Sequence, residues 1–207
     1  MDAVLARLRG KAIPVVRCES TEQADALSAW LIHGGLTILE ITTTVPGYAG
    51  LVTKLAADPR LLVGTGTVLD AATAEAAVEA GSRFLVSPCL VPDVIAVGKA
   101  AKVPVIPGAA TPTEVLTAHR AGAAAVKLFP AEQLGGPGFL KAVRSVLPEV
   151  PLMPTGGIAL EQVPEYISAG AFAVGLGSQL ASQREIAAGA RDEIIARAIR
   201  LAGRDTP

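Results

Sequence analysis

The residue with the clearest chemical potential is a lysine inside an apolar segment. Lys127 lies within residues 123–130, which read AAAVKLFP. A charged amine buried in such a segment is costly unless it is paired, so burial favours its neutral form. A neutral amine is a nucleophile that forms a Schiff base with a ketone. The pattern therefore indicates covalent catalysis by Lys127, with two alternatives: a buried ion pair, or a lysine that extends to the rim of the fold.

A second ionisable residue lies in an equally apolar segment. Glu40 belongs to residues 36–41, which read LTILEI. Burial raises the pKa of a carboxyl group, which can then exchange protons near neutral pH. Glu40 is therefore a candidate general acid or base. The alternative is that Glu40 is the ion-pair partner of Lys127 or Arg17, and the two interpretations overlap because Lys–Glu pairs often perform acid–base chemistry.

Two glycine-containing turns are candidates for binding an anion. One is Thr155-Gly156-Gly157, and the other is Gly177-Ser178. Glycine leaves backbone N–H groups accessible to a phosphate, and a Ser or Thr hydroxyl adds a further donor. The alternative is that both are tight turns that simply require glycine.

The elements that must position these residues repeat along the whole chain. Short runs rich in Val, Ile and Leu alternate with Ala-rich segments of helical period, and the runs begin 20–27 residues apart, as βα units do. The predicted strands are residues 13–17, 36–41, 61–65, 83–87, 103–106, 124–128, 151–155 and 172–176. The predicted helices are residues 21–33, 48–57, 71–80, 92–101, 112–121, 137–146, 161–169 and 183–201.

Eight βα units in 207 residues predict a single-domain α/β fold, a minimal (β/α)8 TIM barrel over residues 1–207. The strands are apolar on both faces, which is typical of a parallel sheet covered on both sides. The alternative is an open doubly wound sheet, but the first strand is not followed by G-x-G-x-x-G. In a barrel the carboxyl ends of the strands meet at one mouth, and phosphate sites recur after strands 7 and 8, where the two glycine turns lie.

Composition narrows the function further. The net charge of −1 provides no long-range attraction for nucleic acid or an anionic membrane, and no apolar run is long enough to span one. Two cysteines, Cys18 and Cys89, are too few for a disulfide framework and fit a reducing cytoplasm. No cluster of His, Asp or Glu suggests a metal site, and His33 and His119 are interpreted as surface or capping residues.

From Pro14 to about Leu180 the chain resembles the class I 2-keto-3-deoxy-6-phosphogluconate (KDPG) aldolases, which overlap with the 4-hydroxy-2-oxoglutarate (KHG) aldolases. The motifs that carry the resemblance are LEIT at 39–42, GTGTVL at 64–69, VSP at 86–88, PG at 107–108, KLFPAE at 127–132, PTGGI at 154–158 and GLGS at 175–178. The resemblance implies that the chain splits a phosphorylated keto acid into pyruvate and a triose phosphate, without metal or organic cofactor, as a homotrimer.

The resemblance also implies residue roles. Lys127 would be the Schiff-base lysine, and Glu40 the general acid or base, working through a water. Thr67 and the backbone of Gly66 would hold the pyruvyl carboxylate. The remaining expected roles are pocket walls for Pro88 and Phe129, hydroxyl contacts for Thr155, and phosphate binding for Gly156, Gly157, Gly177 and Ser178.

One position departs from the common family pattern. Many members carry an arginine four residues after the glutamate, where it helps to bind the carboxylate, whereas this chain has Thr44 there. Relatives with Thr-Val-Pro at this place also carry an arginine at the end of strand 1. We therefore expect Arg17 to supply the missing cation and Thr44 to lie in the pocket.

Three rival functions remain open from the sequence. The first is an aldolase for the C4-epimeric galactonate substrate. The second is a phosphate-binding barrel of the epimerase or isomerase kind, which would use no covalent lysine. The third is a catalytically inactive phospho-sugar sensor, which would need neither Lys127 nor Glu40.

Overall fold

Strands and helices alternate along the computed structural model, which describes residues 1–204; residues 205–207 of the predicted domain lie outside the described residues. The described strands are β1 (Ala12–Val16), β2 (Ile38–Thr42), β3 (Leu62–Gly66), β4 (Leu85–Val86), β5 (Val105–Ile106), β6 (Gly108–Ala109), β7 (Val126–Leu128), β8 (Leu152–Pro154) and β9 (Val174–Leu176). Every predicted strand therefore has a counterpart. The predicted fifth strand, residues 103–106, contains β5, whereas β6 was not predicted; it follows Pro107, which has no N–H to donate to the ladder.

Helices fill the intervals between the strands. They are α1 (Asp2–Leu8), α2 (Thr21–His33), α3 (Tyr48–Ala56), α4 (Ala71–Glu79), α5 (Pro92–Ala101), α6 (Pro112–Ala121), α7 (Gly136–Val146), α8 (Val163–Ser168), α9 (Gln183–Ala187) and α10 (Arg191–Arg204), with a 3-10 turn at Leu160–Gln162 before α8. The helices differ from the prediction in two places. The segment 183–201 is two helices rather than one, interrupted at Gly189 with φ +67°, and α1 was not predicted.

Local capping explains why several helices begin where the sequence predicts. The side chain of Ser20 accepts a hydrogen bond from the Gln23 N–H at the start of α2, and that of Asp70 accepts one from Thr73 at the start of α4. Thr111 begins α6 with a reciprocal capping box that includes Glu114. These side chains satisfy backbone donors that would otherwise lack partners at a helix start.

The strands pair in parallel in two groups. The first sheet has the order β5-β4-β3-β2-β1-β9 and forms a half-barrel, and the second has the order β6-β7-β8. Backbone hydrogen bonds also connect the two groups: Ala124 N–H, just before β7, donates to Val105 O of β5 at 2.9 Å, and Phe172 N–H, just before β9, donates to Leu152 O of β8 at 2.7 Å. The fold is therefore α/β with parallel strands that place their carboxyl ends at a common edge.

A cluster of buried apolar side chains, called here the apolar floor, lies on one face of the strands. Residues from nearly every strand, including Ile13, Ile38 and Met153, form a buried cluster with Val4 and Leu8 of α1. The unpredicted α1 therefore covers the end of the strands opposite to their carboxyl ends. Because side chains alternate between the two faces of a strand, positions two residues further along share the face of the floor and lie nearer the carboxyl ends.

No helix among residues 1–204 combines the length and the apolar character needed to cross a membrane.

Candidate active site

The amine of Lys127 is almost enclosed by protein. Lys127 lies at the centre of β7, two residues after Ala125 of the apolar floor, and is 6% exposed. Its Nζ lies 5.1 Å from the centre of the Phe129 ring, a distance at which an aromatic face attracts a cation. Within residues 1–204, Lys127 Nζ forms neither an ion pair nor a hydrogen bond with another side chain.

Glu40 is buried on the same face, two residues after Ile38 of β2, and is 1% exposed. Its carboxylate lies against the backbone of Gly66, where a Cβ would be only 1.9 Å from Oε1. Neither carboxylate oxygen has a hydrogen-bond partner among the described residues. Burial raises the pKa of the Glu40 carboxyl group, and the positive charges of Lys127 and Arg17 oppose this rise only in part.

The space beside Glu40 explains the glycine at position 66. Any side chain at Gly66 would occupy the volume of the carboxylate, so the glycine is required by close approach and not by a turn. The two residues sit on neighbouring strands, since Thr42 of β2 pairs with Gly66 of β3.

Arg17 is fixed by hydroxyl groups from two neighbouring loops. Its Nη1 donates to Thr44 Oγ1 at 3.0 Å, and its Nη2 donates to Thr67 Oγ1 at 2.8 Å. Thr67 adopts φ +60°, an uncommon conformation for a threonine, and its carbonyl accepts a hydrogen bond from Thr43 Oγ1 at 2.7 Å. These partners carry no charge, and the guanidinium forms no ion pair among the described residues, which suits a site for a carboxylate ligand.

The two glycine turns lie together at the other side of the site. Gly156 and Gly157 have φ values of +102° and +78°, in a region that side chains disfavour. A Cβ at Gly156 would also lie 3.1 Å from the Phe129 ring. Thr155 pairs with Gly175 of β9, so the turn after β8 is directly connected to the strand that leads to Gly177 and Ser178.

One cleft joins these features. Its empty volume is about 750 Å³, including space open to solvent. The residues that line it are Val15, Arg17, Thr67, Pro88, Lys127, Phe129, Thr155, Gly156, Gly157, Ile158, Gly177, Ser178 and Gln179. The structure therefore brings ten of the predicted site residues to one cavity, with Lys127 in its wall.

Three predicted site residues do not line the cleft. Glu40 and Gly66 are buried in the interior and do not reach it, and Thr44 is exposed outside it, where it contacts Arg17. Conversely, Val15, Ile158 and Gln179 line the cleft without having been predicted. Period-two alternation before Arg17 would have identified Val15, whereas Ile158 and Gln179 are merely next in sequence to the two glycine turns.

Other reactive groups are poorly placed for catalysis. Burial raises the pKa of the Cys18 thiol to about 11, so this residue is protonated at neutral pH. Cys89 is an exposed free thiol. No group of three or more His, Cys, Asp or Glu side chains in residues 1–204 is arranged to hold a metal ion.

A buried amine whose charge acts on a buried carboxyl group, on one face of parallel strands, is suited to Schiff-base chemistry on a carbonyl compound. The family model described as KDPG and KHG aldolase matches residues 3–197. The chain belongs to this family of aldolases, which are carbon–carbon lyases.

Individual relatives agree with this membership. The chain is 38% identical to the 2-dehydro-3-deoxy-phosphogluconate aldolase of Treponema pallidum over 191 residues, which are 91% of this chain and 90% of that protein. It is 40% identical to the enzyme of the same name from Pseudomonas aeruginosa over 146 residues, but this match spans only 70% of the chain and 64% of the relative.

A solved structure gives the same result for the fold. The KDPG aldolase of Legionella pneumophila, with pyruvate captured at low pH as a covalent carbinolamine intermediate, superposes with a TM-score of 0.85 at 31% identity. The superposition covers 96% of each chain.

The raised pKa of Glu40 predicts a pH-dependent cost in stability. Between about pH 4, where an unfolded glutamate titrates, and the raised value, the unfolded chain loses a proton that the folded chain keeps, so stability falls as pH rises. Glu40→Gln removes this titration. Relative to the wild type, its free energy of unfolding should therefore rise with pH, by on the order of 1–3 kcal/mol at pH 8.

Urea denaturation at several pH values measures this difference, with the exposed Glu149→Gln variant as the matched control. A difference between Glu40→Gln and wild type that stays constant from pH 4 to pH 8 would contradict the raised pKa.

Proposed function

We propose that this protein is a class I aldolase that cleaves KDPG to pyruvate and glyceraldehyde 3-phosphate. The observation that carries the proposal is the placement of Lys127, an almost fully buried amine in the wall of the cleft, with Glu40 buried on the same face of the strands and within reach of its charge. The same chemistry serves the unphosphorylated KHG, which the family name includes.

The reaction begins with attack of the neutral Lys127 amine on the C2 ketone. Addition gives a carbinolamine, and loss of water gives a protonated imine. The covalent carbinolamine of the Legionella relative supports this first step. The surrounding protein restricts the access of bulk water to this amine, which is only 6% exposed.

Glu40 then moves the protons. Its carboxylate, through a water, removes the proton of the C4 hydroxyl as the C3–C4 bond breaks and the bonding electrons pass to the imine. The aldehyde leaves, and the resulting enamine takes a proton at C3. Hydrolysis of the new imine releases pyruvate and regenerates the amine. A carboxyl group with a raised pKa and no hydrogen-bond partner among the described residues is suited to both transfers.

The two ends of the substrate are held by different parts of the cleft. We propose that Arg17, with Thr67 and the Gly66 backbone, binds the carboxylate, since its guanidinium lines the cleft and is bonded only to hydroxyl groups in the described residues. Gly156, Gly157, Gly177 and Ser178 bind the phosphate, and Thr155 contacts the substrate hydroxyl groups.

The wall beside the lysine is assigned to Pro88 and Phe129. Both residues line the cleft, and the Phe129 ring faces both Lys127 Nζ and the turn at Gly156.

We also infer that the two sheets together form one closed (β/α)8 barrel. The backbone hydrogen bonds that cross both junctions and the pairing of Thr155 with Gly175 support closure. The resemblance described above also implies a homotrimer, and the two free cysteines support a reducing, cytoplasmic location.

Replacement of the lysine tests the reaction. Lys127→Arg keeps a positive charge but removes the nucleophile, so kcat/KM for KDPG cleavage should fall at least about 1,000-fold. The exposed Lys141→Arg on α7 is the matched control and should retain wild-type activity. Pyruvate release is measured with the gluconate substrate, its galactonate epimer and KHG, which also identifies the preferred substrate. Full turnover by Lys127→Arg would contradict the proposal.

The role of Arg17 has its own test. Arg17→Ala should raise the KM for pyruvate-bearing substrates about tenfold, because the carboxylate loses a charged partner, and should change kcat less. Arg120→Ala, an exposed substitution on α6, controls for loss of an arginine. An unchanged KM in Arg17→Ala would refute the assignment.

A further inference from the structure

The segment after β7 runs directly alongside the turn proposed to bind phosphate. Ala131 N–H donates to Thr155 O at 2.8 Å, and Glu132 N–H donates to Gly156 O at 3.2 Å. The Glu132 side chain packs on the second glycine of the turn, because a Cβ at Gly157 would lie 2.9 Å from Glu132 Cβ. An anionic side chain is therefore in contact with a turn assigned to an anion.

Two hydrogen-bond donors hold the Glu132 carboxylate. The Tyr166 hydroxyl donates to Oε1 in a short hydrogen bond, and Gln162 Nε2 donates to Oε2 at 3.3 Å. Tyr166 is fully buried, and burial together with this hydrogen bond raises its pKa, so the phenol remains a donor. Gln162 is fixed in turn, since its Oε1 accepts from Ala159 N–H at 2.8 Å.

The position of this carboxylate matters for electrostatic reasons. A negative charge close to a bound phosphate repels it, and the repulsion grows as the distance shrinks. A released carboxylate so close to the turn would also accept hydrogen bonds from the N–H groups that phosphate requires. Tyr166 and Gln162 remove both effects if they keep the carboxylate directed toward α8.

We propose that Tyr166 and Gln162 are positioning residues that hold the Glu132 carboxylate away from the Gly156–Gly157 turn and so keep this turn available for phosphate. The inference rests on the proposed phosphate site and deepens it. It concerns recognition of the phosphorylated end alone. Loss of either donor therefore raises the KM for KDPG, whereas the kcat and the KM for unphosphorylated KHG stay near their wild-type values.

The test measures binding of inorganic phosphate by calorimetry. Tyr166→Phe should raise the Kd about five- to tenfold, because the freed carboxylate competes with phosphate. Adding Glu132→Gln to this variant should restore the wild-type Kd, because an uncharged side chain neither repels the anion nor replaces it. Tyr48→Phe removes the only other tyrosine hydroxyl of the chain and should leave the Kd unchanged.

Gln162→Leu, with and without Glu132→Gln, repeats the test at a half-buried position and replaces the first pair if Tyr166→Phe does not fold. The inference is overturned if wild-type protein does not bind phosphate, if the single variants bind it as the wild type does, or if Glu132→Gln fails to restore binding. A merely structural defect would not be corrected by the second substitution. If the protein does not cleave KDPG but its variants show the expected changes in the Kd for phosphate, the proposed function is overturned and this inference is still supported.

Discussion

The structure depends on keeping an acid and an amine together in its buried interior. Glu40 and Lys127 occupy one face of the strands, above an apolar floor contributed by the same strands. Burial of an ionisable side chain costs free energy, and the unpaired oxygens of Glu40 show that hydrogen bonds from the described residues do not offset this cost. The same cost raises the pKa of the Glu40 carboxyl group, which suits it to proton transfer. Gly66 is part of this arrangement, since only a residue without a side chain leaves room for the carboxylate.

The residues of the site lie on several different strands and on the turns that follow them. β7 and β2 carry the reactive groups, the end of β1 carries Arg17, and the turns after β8 and β9 provide the glycines. Each group of site residues therefore lies on a different segment of the backbone. The cleft extends from Arg17 at one end to the backbone of the two glycine turns at the other. Supporting contacts lie one layer away: hydroxyl groups orient Arg17, and the side chains of Tyr166 and Gln162 orient Glu132 beside the glycine turn.

Much of this could be predicted from the sequence because local patterns determine it. The spacing of apolar runs located every strand except β6, and the predicted helix starts at residues 21, 71 and 112 coincide with the caps at Ser20, Asp70 and Thr111. The apolar runs around them predicted that Lys127 and Glu40 are buried, as the structure shows. What could not be predicted depends on contacts distant in sequence. The short helix α1 is stabilised by the floor residues it covers, and the contact between Tyr166 and Glu132 joins residues that no periodicity relates. The interruption at Gly189 was missed because helical period continues on both sides of it.

The most direct measurement of the central claim is reduction by borohydride in the presence of pyruvate, followed by mass spectrometry of the protein and its peptides. Imine formation predicts a stable mass increase of one reduced pyruvate, carried by the peptide that contains Lys127 and absent without pyruvate. An adduct on a different lysine, or no adduct in protein that still binds phosphate, would contradict a Schiff-base role for this amine.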